Sequence, residues 1–261
     1  MTMNRAQRRQ AAKDLQSRLK DPDLAGAVDL AELSQRPKAI TFGYLIDENV
    51  SAEFLRSVLA TASRSTQYGF AIRPRDVEVA VERPKAYNLL LKSFLETEDD
   101  YLLLAGTDIA FAPQDVAMLI AADAAIAGAL YFTAATGAEP WPTAWVEGDI
   151  AEGEATETPR QPYVPVPLPK PPEDFDEADE AAVADWLAKL SVPIPVAGVG
   201  FGLVLIQREC ARNMVENYEW PFEAVQDRRE DLIFCLRAKE LGFETVLMPA
   251  ARVGHMRQAM L

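Results

Sequence analysis

Residues 99–111 read Asp-Asp-Tyr-Leu-Leu-Leu-Ala-Gly-Thr-Asp-Ile-Ala-Phe, DDYLLLAGTDIAF. The apolar core of this stretch, Tyr101–Ala105, has no polar alternation, which is the signature of a strand covered on both faces. A glycine and a turn follow, and then Asp108 stands among apolar neighbours. In an open α/β sheet, ligands bind outside the carboxyl ends of the strands, and Asp108 falls just past such an end. A bare carboxylate there is costly, so a cation or a set of donors is expected to meet it. The plain alternative is a turn or helix-capping role near Pro113.

Outward from this stretch, elements of alternating type can be read in both directions. Ala39–Ile46 is a β-branched and aromatic run that predicts a buried strand. Ser51 is placed to cap a helix over Ala52–Ala62. A strand is expected within Phe70–Val81, and a helix over Pro84–Leu95 with Leu89, Leu90 and Phe94 inward. Pro113 opens the next helix at a permitted first-turn position, and Ala127–Phe132 forms the next strand. After an interruption, Val196–Ile206 reads as a strand, Glu209–Tyr218 and Arg229–Leu241 as helices, the latter ended by Gly242, and Phe243–Met248 as the last strand. The alternation argues for an α/β sheet with covering helices.

Two segments differ from this core. Residues 1–20 carry six Lys/Arg against one Asp, and the spacing of Ala11, Ala12, Leu15 and Leu19 predicts a short basic helix within Asn4–Leu19. Between Ala138 and Leu190 the pattern breaks down. Seven prolines lie within Pro159–Pro172, and 138–190 holds thirteen Asp/Glu against three Lys/Arg. We read it as a long acidic, Pro-rich insertion of extended backbone with one helix near its end, a lid or acceptor platform on one view and a surface excursion on the other. The expected domains are therefore a basic extension over 1–36 and a main domain over 37–261, interrupted by 138–190.

Composition narrows the function. The 261 residues, 49% of them hydrophobic, suffice for a full core. A formal charge of −14 opposes wholesale binding to a phosphate backbone, so nucleic acid is an unexpected partner. Cys210 and Cys235 have no CxxC spacing, which suggests neither a disulfide framework nor a cysteine-rich zinc site. No stretch reads as a membrane span or secretory signal, and the expectation is a soluble, cytoplasmic protein. Gly198-Val199-Gly200-Phe201-Gly202 has GxGxG rather than GxGxxG spacing and continues as a strand, so the dinucleotide fingerprint is rejected.

Two further features carry chemistry. His255, the one histidine of the chain, follows the final strand; histidine ligates Mn²⁺, though a lone one is commonly structural. Glu230 and Asp231 open a helix, where acidic groups suit the dipole but where one can also act as general base. The set, in order, resembles GT-A fold nucleotide-sugar-dependent glycosyltransferases, in particular short bacterial and phage-type members. The resemblance covers about Ala39–Phe132 and Val196–His255. It rests on Arg83-Pro84-Lys85-Ala86-Tyr87-Asn88 with Phe94-Leu95, on Tyr101–Phe111, on the glycine-containing Val196–Arg208, on Trp220-Pro221-Phe222, on Glu230–Cys235 with Ala238–Gly242, and on the late His255. One position departs, because Gly106 stands where the family's Asp-x-Asp motif has its first Asp.

The resemblance implies a Rossmann-type mixed sheet flanked by helices, and a transfer of sugar from a nucleotide diphosphate sugar, a UDP-sugar first among them, to a hydroxyl acceptor. It implies Mn²⁺ or Mg²⁺ held by Asp108 and His255, and Asp231, with Glu230 as alternate, as base or acceptor anchor. Tyr44, Arg83, Asn88, Gly106, Thr107 and Asp108 fall on the nucleotide-sugar side, and Gly200, Phe201, Gly202 and Trp220 on the acceptor and sugar side. The alternative is a nucleotide-sugar-binding or scaffold protein that keeps the fold without catalysis.

Overall fold

The computed structural model describes residues 37–46, 50–78, 82–133, 140–148, 163–172, 175, 179–224 and 229–255. The expected basic helix within Asn4–Leu19, and the whole 1–36 extension, lie outside the described residues.

The first strand, β1 (Lys38–Ile46), leads to α1 (Ala52–Arg64), which Ser51 caps by accepting a hydrogen bond from the Phe54 N–H at 3.0 Å. A 3₁₀ turn and Gly69, at φ 75°, bring the chain to β2 (Phe70–Glu78), and α2 (Arg83–Leu95) returns it to β3 (Tyr101–Ala105). After the short β4 (Ile109–Ala110) comes α3 (Pro113–Ala121), where the Asp115 carboxylate accepts from the Ala112 N–H at 2.7 Å, and then β5 (Ile126–Leu130). The short strands β6 (Phe132–Thr133), β7 (Trp141–Pro142), β8 (Ala144–Glu147) and β9 (Tyr163–Pro165) precede α4 (Glu180–Leu190). The chain closes with β10 (Ile194–Val196), β11 (Gly198–Val199), β12 (Leu203–Gln207), α5 (Arg208–Asn217), α6 (Glu230–Glu240), β13 (Thr245–Arg252) and β14 (Gly254–His255).

Seven strands form one mixed sheet in the order β10-β13-β5-β12-β3-β1-β2. β1 is parallel to β2 and β3, β12 runs antiparallel to both β3 and β5, and β13 is parallel to β5. The carboxyl ends of β1, β3, β5 and β13 thus share one rim, together with the amino end of β12. β3 lies inside the sheet with every residue buried. Its alternate side chains enter two cores. Tyr101, Leu103 and Ala105 belong to one core with Phe54, Val116 and Trp186, while Leu102 and Leu104 belong to the other with Leu90, Met214 and Phe234. Each such large apolar side chain contributes about 1.5–3 kcal/mol on burial, so a sheet covered on both faces needs this unbroken apolar run.

The two ends of the quoted stretch do different work. At the amino end, Asp99 is fully buried; its carboxylate accepts from the Thr41 hydroxyl at 2.7 Å and pairs with Arg73. Asp100 accepts from the Ala39 N–H at 2.8 Å, and Arg208 donates to the Thr97 carbonyl at 2.6 Å. These groups tie β1, β2, β3 and α5 together at the edge of the sheet opposite to Asp108.

The structure departs from three sequence expectations. Leu89 is 49% exposed, because Ala86, Tyr87, Leu90, Leu91 and Phe94 define the buried stripe of α2 and Leu89 falls beside it. Val196–Ile206 is not one strand: β10, β11 and β12 are separate, with β11 in the three-stranded sheet, and a turn at Phe201-Gly202 precedes β12 of the main sheet. The described parts of 138–190 are more packed than their prolines suggested. β8 pairs with β9 and β11, and Ala144, Val166, Trp186 and Leu190 are core residues. Prolines are compatible with such short edge strands, where a missing N–H breaks no ladder.

Candidate active site

The site collects at the rim where β3, β5 and β13 end. Past β3, the turn Gly106-Thr107-Asp108 is pinned from two sides: the Gly106 N–H donates to the Gly202 carbonyl at 2.9 Å, and the Ser51 N–H donates to the Thr107 carbonyl at 3.0 Å. β4 follows at once and pairs antiparallel with β14, setting His255 opposite Ile109. That short ladder brings together two side chains 147 positions apart. His255 Nε2 lies 2.9 Å from Asp108 Oδ2, with the imidazole N–H donating to the carboxylate. The bond from His255 holds the Asp108 carboxyl below its usual range; burial opposes this, and the charges of His255 and Arg83 reinforce it. Asp108 is therefore an ionised, half-exposed carboxylate oriented by an imidazole.

This donor set fits a hard divalent ion completed by its substrate. A proton lies between Nε2 and Oδ2 in this bond; once Nε2 gives it up, the two atoms, 2.9 Å apart, stand at about the spacing of two neighbouring ligands on an ion with bonds of about 2.1 Å. Imidazole and carboxylate suit Mn²⁺, and Mg²⁺ is commonly held by one or two carboxylates plus phosphate oxygens. Among the described residues no group of three or more His, Cys, Asp or Glu gathers for a metal; an ion held by Asp108 and His255 would need phosphate or water to complete its shell. Gly106 bears on the same point. A Cβ there would stand 2.8 Å from Asp108 Oδ1, so an added side chain would make the Asp108 carboxylate move.

A second carboxylate belongs to the same cluster. Asp231, in the first turn of α6, is 2% exposed; its Oδ2 is 2.9 Å from Arg229 Nη2, and its Oδ1 accepts from the Leu232 N–H at 2.8 Å. Burial pushes its carboxyl above the ordinary range, the Arg229 guanidinium opposes the shift, and Glu230 adds to it. Within reach of Asp231 are Tyr87 and Tyr131, whose phenols are both raised chiefly by burial, that of Tyr131 to about 12. Asp231 and Arg229 act electrostatically on Tyr131, Arg83 and Asp231 act on Tyr87, and Tyr131 meets His255 edge to face with centroids 5.7 Å apart.

Of the residues expected from sequence, Gly106, Thr107, Asp108, Gly202 and His255 are joined by contact, and Arg83, Glu230 and Asp231 are joined through their fields. Gly200 donates its N–H to the Thr143 carbonyl at 2.6 Å and lies against the Tyr131 phenol. Others sit apart from this cluster. The Asn88 amide is buried and donates to the carbonyls of Pro84 and Phe222, and its oxygen accepts from the Phe222 N–H, which fastens α2 to the loop before α6. Phe201 is a core residue packed on Tyr87, Phe222 and Phe234. Trp220 is 44% exposed, with the Lys92 ammonium 5.5 Å from its ring, and Tyr44, at the end of β1, packs on Phe42 and Phe54. Sequence reasoning missed Tyr131. Its signal was an aromatic residue directly after a strand's carboxyl end, in a chain that elsewhere offers two closely spaced glycines to receive its ring.

No family model matches the chain, and no curated protein matches it. Solved structures do. GalNAc-T7 with UDP, GalNAc and Mn²⁺ superposes with a TM-score of 0.51 at 13% identity, over 85% of this chain and 44% of that one. A197 from STIV matches at 0.47 and 12% identity over 85% and 96% of the two chains. A Drosophila beta-1,4-galactosyltransferase 7 mutant, in complex with manganese, UDP-Gal and xylobiose, matches at 0.42 and 13% identity over 85% and 71%. The chain has a mixed α/β fold similar to that of GT-A glycosyltransferases, and it spans less than half the length of GalNAc-T7.

Proposed function

We propose that the protein is a glycosyltransferase moving a sugar from a nucleotide diphosphate sugar, a UDP-sugar first, to a hydroxyl acceptor, with Mn²⁺ or Mg²⁺ held by Asp108 and His255. The observation that carries this reading is the 2.9 Å pairing of these two side chains at the strand-end rim. When bound, the ion supplies Lewis acidity to the departing diphosphate. Asp108, kept ionised by the imidazole, presents a fixed negative charge. Arg83, near enough to act on Asp108, offers a guanidinium to phosphate. Tyr44 lines the nucleotide side.

Asp231 is the favoured base. Its raised carboxyl is better matched to taking a proton from a hydroxyl than an ordinary aspartate, and Arg229 orients it. Glu230, one residue earlier and less buried, is the alternate. Trp220, exposed on the loop before α6, is the acceptor-side aromatic.

A panel of nucleotide-sugars in a thermal-shift assay, with Mn²⁺ and then with chelator, tests the reading. A donor at 100 times its dissociation constant adds about 2.7 kcal/mol to the native state. The expected result is metal-dependent stabilisation followed by loss of sugar from the donor, both removed by Asp108→Ala; turnover unchanged in that variant refutes the reading. One observation favours a second reading: Gly106 leaves Asp108 without a companion carboxylate in its turn. A nucleotide-sugar-binding protein without catalysis would give the stabilisation and no sugar loss.

A further inference from the structure

The geometry points to Tyr131 as the positioning residue for the cation pair, holding the His255 imidazole toward Asp108. The inference rests on the metal-assisted reading above. Tyr131 directly follows β5, and its main chain is fixed: its carbonyl accepts from both the N–H and the hydroxyl of Thr143, at 3.1 and 3.2 Å. The carbonyl of Leu130, one residue earlier, accepts from the Val253 N–H at 3.0 Å, so the strand end carrying Tyr131 is hydrogen-bonded to the segment carrying His255.

The ring is just as closely confined. It is 6% exposed and meets the imidazole at an interplanar angle of 75°, the edge-to-face arrangement that aromatic rings favour. Its other side lies over the glycine turn. A Cβ on Gly202 would stand 2.6 Å from a ring carbon, and one on Gly200 would collide with the phenol oxygen. The two glycines therefore admit this ring where any side chain would displace it. The same Gly202 accepts the Gly106 N–H through its carbonyl. Tyr131 thus touches His255 with its ring and reaches the Asp108 turn through Gly202, one backbone bond away.

The imidazole needs such a wall. β14 is two residues long and pairs with a two-residue β4, too short a ladder to fix a side-chain rotamer. Outer groups that orient a metal-binding histidine typically change metal affinity by about 10- to 100-fold when removed.

The single histidine of the chain makes the test specific, because the imidazole Hε1 signal in the proton NMR spectrum of the tag-free protein belongs to His255 alone. Mn²⁺ with UDP should broaden that signal in the wild type. Tyr131→Leu should need at least about tenfold more Mn²⁺ for equal broadening. Tyr131→Phe, which keeps the ring, should stay within about twofold. Gly202→Ala, which pushes the ring without removing it, should reproduce the leucine variant, and it carries the test if Tyr131→Leu does not fold. The Tyr131→Leu/Gly202→Ala double variant should be no worse than either alone, since both act on one ring. A folded Tyr131→Leu protein with the wild-type Mn²⁺ response overturns the inference alone. A wild-type imidazole that Mn²⁺ leaves unbroadened overturns the metal-assisted reading, and the inference with it.

Discussion

Replacing Asn88 by alanine separates a structural role from a ligand-binding one, and the geometry fixes what to expect. The amide donates to Pro84 O at 2.8 Å and to Phe222 O at 2.7 Å, and accepts from the Phe222 N–H at 3.0 Å. Truncation leaves the buried N–H and carbonyl of Phe222 without these partners. A buried polar group so stranded costs about 1–3 kcal/mol, and partial relaxation makes about 2–4 kcal/mol the expected loss for the pair. For a domain of this size that is roughly 5–15 °C in Tm. Phe222 stacks on Phe234 with centroids 4.2 Å apart and touches Tyr87 and Phe201, so loosening it also disturbs α6 and Asp231. Asn88→Asp should be worse than Asn88→Ala, because it sets a carboxylate against two carbonyl oxygens in a buried site. Urea unfolding and calorimetry without ligand measure both variants. A loss below about 0.5 kcal/mol in Asn88→Ala, combined with weakened donor binding, would refute the structural assignment and return Asn88 to the nucleotide side.

Three further outcomes are expected. Asp108 has a folded-state pKa depressed by His255, so its stabilisation is present above the unfolded value near 4 and is lost as pH falls through the folded value. The gap in urea stability between wild type and Asp108→Asn should close below about pH 4; because the side chain is 51% exposed, the gap should stay under about 1 kcal/mol, and a gap independent of pH counts against the pairing. Asp231 has the opposite sign: its pKa is raised by burial, so its charge costs stability as pH rises through the folded value. Asp231→Asn should be at least as stable as wild type at pH 7 while turnover falls by about 10²- to 10⁴-fold, and a destabilised variant in thermal melts would refute the sign. Removing Ala251 from the register shift between Met248 and Arg252 of β13 should turn His255 to the opposite face of β14 and raise the Mn²⁺ needed for equal broadening of its signal by at least about tenfold; an unchanged Mn²⁺ requirement refutes the role of that shift.

The sheet was legible where burial leaves a one-dimensional trace. β3 and β1 are covered on both faces, and their unbroken apolar runs announce it. The helix starts were equally plain, since both signals are local: Ser51 accepts the Phe54 N–H three residues on, and Pro113 brings a fixed φ to the first helical position, where no N–H is needed. Leu89 was misplaced because three consecutive leucines carry no phase of their own; Ala86 and Phe94 decide which face of α2 is inward. The run VAGVGFGLVLI looked like one strand because β11, β12 and the turn between them are buried, and hydrophobicity does not distinguish a buried strand from a buried turn. In 138–190, proline argued against packing, yet Pro165 and Val164 of the edge strand β9 pair with β8, and Val166 enters the core. Edge strands tolerate the residue that interior strands exclude.

The site was legible in its parts and hidden in its assembly, for a reason built into the topology. β5 and β13 are parallel to each other and, through the antiparallel β12, to β3, so the residues just past their carboxyl ends converge although they are numbered 108, 131 and 255. Asp108 and His255 each stood out by chemistry. Their meeting depends on β4 and β14, two residues each, which are too short for any periodic signal. Tyr131 carried a signal of position alone, one aromatic after an apolar strand. Its place is written instead at Gly200 and Gly202, some 70 positions later, as the absence of side chains that would collide with it. The glycines that looked in the sequence like a lining for a ligand are, in the fold, the seat of a tyrosine ring. That exchange ties the glycine turn to the cation pair: the turn that receives the ring also accepts the Gly106 N–H, so displacing either one moves the carboxylate and the imidazole together.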